Sequence, residues 1–446
     1  MYRSEDYDKI REKLNDIEKK AKKYYQDNYE EPTKEEYDNV MEDIKKYIKE
    51  KDLIIYGGYA QNKLIGIKNS ADEFYDEVDR PDLEVYSPDP IGDAMRMSDI
   101  LFKKGYKYIR CEEGVHNETY KVFVNFLNFS DISYMDPYVF RNCPVIKVDG
   151  LKLTHPHFMQ TDAYRVYADL LTSNFRLTKT FTRMTTLMKY YPFDDKAEYN
   201  KLTYKKTKEN ENMLRFVRKH IIHDSDLVVI GHYAYNYLVK KEDPKNEIDF
   251  EYIQLVSSNF KKDFDKINKM LKKHFGKKIY YRLFNPFFQF LDERAEFSYN
   301  GKVFLKLYGN NDRCIVFKKS EKKKTKFGTF ILVMLRLISD YNFAIVNKNK
   351  DEERNYLHLI VKLNKIRNKY LSKNNLTVID KSPFEEFTLQ CIGQPLDPIR
   401  ASRLKIIENK DAGKRLKFGY TPTGKPGKVP SFKFDNSSGK EKNSKK

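Results

Sequence analysis

Asp82 and Glu84 stand one residue apart in the segment Pro81-Asp82-Leu83-Glu84-Val85-Tyr86. On a strand, residues two apart point to the same face. The two carboxylates then project side by side, and Leu83 and Val85 turn to the opposite face, towards a core. Paired carboxylates repel each other unless a cation neutralises them. Magnesium or manganese suits the task, because both prefer oxygen ligands and are held by a few carboxylates together with substrate phosphates. Two such ions can stabilise the attacking and the leaving oxygen of an in-line displacement. A third acid, Asp131, closes a later strand candidate. Upstream, the apolar run Leu53-Ile54-Ile55-Tyr56 ends at Gly57-Gly58 and a helical pattern follows. Strand, glycine turn and helix start together bring backbone amides to a phosphate. A D-x-E pair alone is common on solvated strand faces. The glycine turn and the third acid give this pair its weight.

The elements that must position these residues follow from periodicity and punctuation. Residues 5–28 and 33–50 read as two charged helices, with Pro32 near the second start. Residues 53–56 read as a strand, 59–65 as a helix, and 83–86 as a strand ended by Ser87-Pro88-Asp89-Pro90. A helix over 91–104 and strands near 106–111, 119–127 and 131–134 follow. A single helix is predicted over 157–190, with Tyr164, Ala168 and Leu171 at helical spacing.

The pattern recurs. Residues 53–65, 81–87 and 121–131 resemble residues 228–239, 248–254 and 302–312, in the same order. The chain therefore reads as two copies of one unit in an α+β fold. This alignment sets Asp249, Glu251 and Asp312 where the first copy has Asp82, Glu84 and Asp131. It also replaces Gly57-Gly58 by Gly231-His232. A side chain at the second position obstructs the approach of a phosphate to backbone amides. The second copy is accordingly expected to be a structural partner and not a second active site. The predicted division is an N-terminal helical region 1–50, a catalytic domain 51–156, a helical connector 157–220, a degenerate second domain 221–400 and a basic tail 401–446.

Composition bounds the partners. The 446 residues carry 84 Lys and Arg against 65 Asp and Glu, a net charge of +19. Part of the lysine content fits AT-rich codon usage, like the 34 Tyr, but the excess still favours a polyanionic partner. The four cysteines are far apart with no C-x-x-C, so neither a zinc site nor a disulfide framework is indicated. The first residues are charged and carry no signal-peptide pattern. No run of 18 apolar residues suggests a membrane span.

At this point the residues resemble a family. Gly57-Gly58, Asp82-x-Glu84 and Asp131, in that order, are similar to the polymerase-β nucleotidyltransferase superfamily. IIYGGYAQNKLI, DLEVYSPDP and FSDISYMDP resemble the poly(A) polymerase catalytic subunits of large DNA viruses: poxviral, asfarviral and above all mimivirus-like. The resemblance implies a polymerase-β-type domain with a degenerate second copy. It implies AMP transfer from ATP to RNA 3′ ends, with Asp82, Glu84 and Asp131 holding Mg2+ or Mn2+ and Gly57 and Gly58 facing the phosphates. The superfamily's usual Gly-Ser is Gly-Gly here, so one hydroxyl contact to phosphate is missing. The resemblance further implies a homodimer that works in the host cytoplasm or the virion.

Arg176, Lys179 and Arg183, at i, i+3 and i+7, are read as triphosphate or RNA-backbone contacts on one helix face. His155 and His157 read as capping or packing residues, Tyr164 and Tyr167 as core. Two alternatives stay open: another RNA terminal nucleotidyltransferase, CCA- or uridylyl-adding, and a catalytically dead RNA-binding scaffold.

Overall fold

The computed structural model describes residues 2–116, 118–194, 207–223, 225–286, 292–310, 313–320, 324–414 and 417–425. They fall into two compact units. One runs to Arg141 and adds Val145–His155 and the stretch from Ser402; the other comprises Asn142–Pro144 and Pro156–Ala401.

The first unit opens with helices α1 (Ser4–Asn28) and α2 (Lys34–Glu50). Thr33 caps α2 by accepting the Glu36 amide at 3.2 Å. Val40, Ile44 and Ile48, at helical spacing, bury one face of it. Then come β1 (Ile54–Tyr56), α3 (Gly57–Gly66), β2 (Leu83–Ser87), α4 (Pro90–Lys103), β3 (Arg110–Glu113), β4 (Thr119–Val124), β5 (Leu127–Tyr134), α5 (Pro137–Asn142), β6 (Val145–Val148) and β7 (Leu151–Thr154). The extended segment expected from residue 119 to 127 turns at Asn125 and Phe126, both at positive φ, so β4 and β5 form a hairpin.

The second unit contains α6 (Pro156–Ala168), α7 (Leu170–Ser173), α8 (Leu177–Tyr190), α9 (Lys208–Phe216), β8 (Val228–Ile230), α10 (Gly231–Val239), β9 (Ile253–Ser257) and α11 (Phe260–Phe275). It continues with β10 (Ile279–Phe284), β11 (Arg294–Tyr299), β12 (Lys302–Gly309), β13 (Ile315–Lys319), β14 (Lys326–Gly328), α12 (Phe330–Val346), α13 (Lys350–Lys373) and β15 (Cys391–Ile392). Helix α14 (Pro398–Asp411) runs into the stretch read as a basic tail, and strand β16 (Gly419–Tyr420) lies within it. β16 pairs with β3, with Tyr420 opposite Cys111. The end of that stretch lies outside the described residues.

The two sheets share one topology. Their strand orders are β16-β3-β4-β5-β2-β1-β7-β6 and β10-β11-β12-β9-β8-β14-β13-β15. Seven strands correspond in order and in sense, including the parallel pairs β2–β5 and β9–β12. A register shift falls between Val122 and Phe123 in one sheet and between Phe297 and Ser298 at the matching place in the other. The turn after the central strand also repeats. The Asp89 amide donates to the Ser87 hydroxyl while its carboxylate caps α4 by accepting the Gly92 amide, and Asn259 does the same with Ser257 and the Lys262 amide ahead of α11. The duplication is thus built into the backbone.

Two expectations need correction. The helix expected over 157–190 breaks after Ala168, because Asp169 bonds the Thr172 hydroxyl at 2.6 Å and the polar run Thr172-Ser173-Asn174 ends in a 3-10 turn. Cysteine spacing predicts no disulfide, yet Cys314 and Cys391 are bonded, with Cα atoms 5.5 Å apart. Strand pairing brings them together: Val316 lies opposite Cys391 where β13 meets β15. Among the described residues, no helix is long and apolar enough to cross a membrane.

Candidate active site

Three adjacent strands assemble the acidic residues. β1 and β2 pair with Tyr56 opposite Glu84, and β2 and β5 pair with Glu84 opposite Asp131. Residues opposite one another share a face, and Asp82 joins them two positions before Glu84. Leu83 and Val85 are fully buried on the other face, which fixes the orientation of the acids. The segment leading into β2 is tied down from behind: Tyr37 donates to the Pro81 carbonyl at 2.8 Å, and Arg80 pairs with Glu30 at 2.9 Å. Beyond the strand, Ser87 donates to Asp93, which also accepts from Tyr47 at 2.6 Å and Arg96 at 2.7 Å.

The acids are linked to one another by donors. The Asn128 amide donates to Asp82 Oδ2 and to Asp131 Oδ1, both at 2.8 Å. Lys121, opposite Asp131 on β4, reaches both of its carboxylate oxygens at 2.6 Å. Glu84 Oε2 accepts the Gly58 amide at 2.7 Å. One amide therefore spans Asp82 and Asp131, and the Lys121 ammonium supplies the compensating positive charge. Among the described residues, no three carboxylates, imidazoles or thiols close into a cage for a cation. Magnesium is held by one or two carboxylates and completed by substrate phosphates and water. The all-oxygen donor set and the partly exposed acids fit such an ion.

Gly57 has φ +69°, and a Cβ there would collide with the Glu84 carboxylate. Glycine is required at that position for both reasons. Gly58 was expected to offer its amide to phosphate; here that amide holds Glu84. Tyr56 stacks on Tyr86 with centroids 3.8 Å apart and shares a 2.8 Å hydrogen bond with Ser133, so these three side chains continue the sheet face that carries the acids.

Arg176, Lys179 and Arg183 belong to the second unit. Arg176 ends the 3-10 turn before α8, with its guanidinium over the Phe175 ring, while Lys179 and Arg183 lie on α8 itself at i and i+4. They do not share one continuous helix face as expected, for the helix break given above. His157 packs against Phe193 and contacts the Tyr191 carbonyl at 3.2 Å, and burial pushes its imidazole pKa down. It is a packing residue. Tyr167 is buried against Tyr164 and Phe387.

The second copy requires a larger correction. β8 and β9 pair with Ile230 opposite Gln254, and β9 and β12 pair with Gln254 opposite Lys306. The counterparts of Asp82, Glu84 and Asp131 are therefore Tyr252, Gln254 and Lys306. Asp249 and Glu251 lie ahead of β9, and Asp312 lies outside the described residues. Matching acid to acid misplaced the alignment by three and by six residues (252 − 249 and 312 − 306). The recurrence of Ser87, Asp89 and Asp93 as Ser257, Asn259 and Asp263 would have set the first register correctly.

Comparison with known proteins gives the family. Residues 42–173 match the family "Poly(A) polymerase catalytic subunit", and residues 185–446 match "APMV, Putative poly(A) polymerase, catalytic subunit, C-terminal". A protein of Acanthamoeba polyphaga mimivirus named "Putative poly(A) polymerase catalytic subunit" is 30% identical over 94% of this chain and 78% of its own length. Its namesake in African swine fever virus (strain Badajoz 1971 Vero-adapted) is 30% identical over 35% of this chain and 34% of its own length. The solved "Crystal structure of the Megavirus polyadenylate synthase" superposes with a TM-score of 0.90 at 31% identity, covering 95% of this chain and 86% of that one. With both halves matched and the duplicated nucleotidyltransferase-like fold in place, the chain belongs to the viral poly(A) polymerase catalytic subunit family.

Proposed function

We propose that the chain is a template-independent polynucleotide adenylyltransferase that adds AMP from ATP to RNA 3′ ends, with its chemistry confined to the first unit. The observation that carries this reading is the register of Glu84 opposite Asp131, with Asp82 on the same face. Asp82, Glu84 and Asp131 would hold two magnesium or manganese ions. When bound, these ions activate the attacking 3′-hydroxyl and stabilise the departing pyrophosphate. The chain's own groups prepare the site. Gly58 fixes one Glu84 oxygen, Asn128 holds Asp82 and Asp131 in mutual register, and Lys121 balances charge beside Asp131. Arg176 and Lys179, exposed cations before and on α8, are proposed to contact phosphates of the triphosphate or the RNA, and Arg183 to assist them. Action in the host cytoplasm or the virion is part of the same proposal.

Base preference is tested by primer extension with each NTP alone. Extension by ATP only supports adenylate transfer. Equal extension by CTP or UTP would instead indicate another terminal nucleotidyltransferase, and no pyrophosphate release with any NTP would indicate a dead scaffold.

The proposed homodimer gains support from α1. Tyr7, Ile10, Leu14, Ile17, Ala21 and Tyr24 follow a heptad seam, and no residue of α1 is buried. The opposite side of α1, through Lys19, Lys22, Lys23 and Gln26, binds Asp76, Asp79, Glu77 and the Val78 carbonyl. The seam thus faces away from its own unit. In a parallel in-register pair, Asp6 meets Arg11 and Lys13 meets Glu18 across the flanks, with no like-charge contact between them. Leu14→Glu with Ile17→Glu should convert a dimer to a monomer in light scattering; an unchanged mass would remove α1 as the interface.

A further inference from the structure

The second unit has not merely lost its carboxylates. The same sheet face has become cationic. Lys306 stands at the position of Asp131, and Glu296, opposite it, at the position of Lys121. The ion pair is kept with its charges exchanged. Arg294 adds a second cation, and Glu296 is shared between Lys306 and Arg294 at 3.3 Å each. From helix α12, Arg336 lies over the Tyr308 ring at 4.3 Å.

The charges do not balance. Among the described residues, Lys306, Arg294 and Arg336 form ion pairs with Glu296 and Asp340 alone, which leaves one positive charge in excess. Arg336 is 3% exposed, and Asp340 takes its Nε and Nη2. Its Nη1 is buried and, among the described residues, has no hydrogen-bond partner. A buried donor left without an acceptor is destabilising unless an anion completes it. The other groups on this face are Gln254, Tyr252, Tyr308, His232 and Tyr356, all neutral donors or rings. Burial alone would raise the Tyr308 phenol, yet Arg336, Lys306 and Arg294 draw its pKa below the usual value. The face therefore carries a positive potential. Lys306, Arg294 and Glu296 keep side-chain exposures of 20%, 15% and 13%, so its rim is partly accessible to solvent.

We propose that this face of the second unit is a metal-independent phosphoryl-binding subsite, in which Lys306, Arg294 and the free Nη1 of Arg336 hold one phosphate group. In the first unit, carboxylates take up phosphate through cations. In the second, fixed side-chain cations replace both acid and metal. The phosphate could belong to a nucleotide or to an RNA backbone, since both present the same oxygens. This inference does not depend on the proposed adenylate transfer, because it concerns binding without divalent ions.

The test uses the full chain in EDTA at about 150 mM salt, where surface charges are screened over roughly 8 Å. Under these conditions the bare acidic triad repels phosphate. Labelled pyrophosphate should bind with one equivalent per chain. Lys306→Glu should weaken it at least tenfold, Lys306→Arg should retain it, and Asp82→Asn should leave it unchanged. Arg294→Gln, also expected to weaken binding, serves if Lys306→Glu does not fold. Competition by ATP but not by oligo(A) identifies a nucleotide subsite; competition by oligo(A) identifies an RNA-backbone subsite. Absence of binding in EDTA, or binding that survives both charge removals, overturns the proposal.

Discussion

Asp131 and Lys306 occupy the same position in two sheets whose seven corresponding strands run in the same order: each lies opposite the second residue of a parallel neighbour, Glu84 in one case and Gln254 in the other. A carboxylate that could bind a cation has been exchanged for a cation. This relationship divides the two units chemically more sharply than any difference in fold, and it fixes which substitutions should affect turnover.

Asp82→Asn, Glu84→Gln and Asp131→Ala should each lower primer extension by well over a hundredfold, since loss even of a group that only orients a metal ligand costs about 10–100-fold. Tyr252→Phe and Gln254→Ala should retain most activity. Initial rates at saturating magnesium, with circular dichroism to confirm folding, decide the matter. A folded Gln254→Ala protein as impaired as Glu84→Gln would overturn the assignment of chemistry to the first unit.

The glycines ahead of α3 and α10 allow a matched comparison. Gly57 and Gly231 both have positive φ, and a Cβ on either meets the side chain opposite it on the neighbouring strand, Glu84 or Gln254. Alanine at either position should cost about 1–2 kcal/mol from backbone strain alone. Only Gly57→Ala displaces a proposed metal ligand. Both variants should therefore show lowered denaturation midpoints, while only Gly57→Ala loses activity beyond what its stability explains. Equal activity losses would contradict the asymmetry.

The first half was legible because its signals are local. A strand ending in two glycines and a D-x-E alternation each occupy only a few residues, and the faces of Leu83 and Val85 follow from period two. The second half was legible as a repeat but not in register. Asp249 and Glu251 offered a match by identity, whereas the strand register is set by hydrogen-bond ladders and by the turn that Ser257 and Asn259 anchor. The roles of Lys121, Asn128 and Lys306 were hidden, since each acts across a strand pairing that no linear spacing reveals. The break at Asp169 was missed because apolar periodicity continues past it.

His232 should make stability depend on pH. It is 4% exposed, and burial, with Lys306 and Arg336 nearby, lowers its pKa to about 4 from the ordinary 6.5. The folded state therefore holds it neutral where the unfolded chain takes up a proton. Its contribution is complete above pH 6.5 and is lost as pH falls from there towards 4. Between pH 7 and pH 5 this amounts to about 2 kcal/mol by linkage. Denaturant titrations at both pH values should show wild type losing about that much more than His232→Asn. Parallel losses in the two proteins would show that His232 is not held neutral.

Two truncations should separate the roles of the C-terminal stretch. Phe418 is buried and meets the Tyr120 ring edge-on at 5.6 Å, and the Tyr420 hydroxyl donates to Asp99 at 2.6 Å. Ending the chain at Lys417 removes these contacts and strips β16 from β3. Loss of a buried phenylalanine alone costs about 3–5 kcal/mol, so this truncation should lower stability markedly. Ending it at Lys425 keeps β16 and removes residues 426–446, which carry six lysines against Asp435 and Glu441. Each lysine engaged with a single-stranded phosphate adds about 0.7 to the slope of log K against log salt. The longer product should therefore melt like wild type, turn over a saturating primer at the wild-type rate, and bind oligo(A) more weakly with a shallower salt slope. A salt slope identical to wild type would show that residues 426–446 take no part in holding RNA, and would assign the binding charge to the folded units.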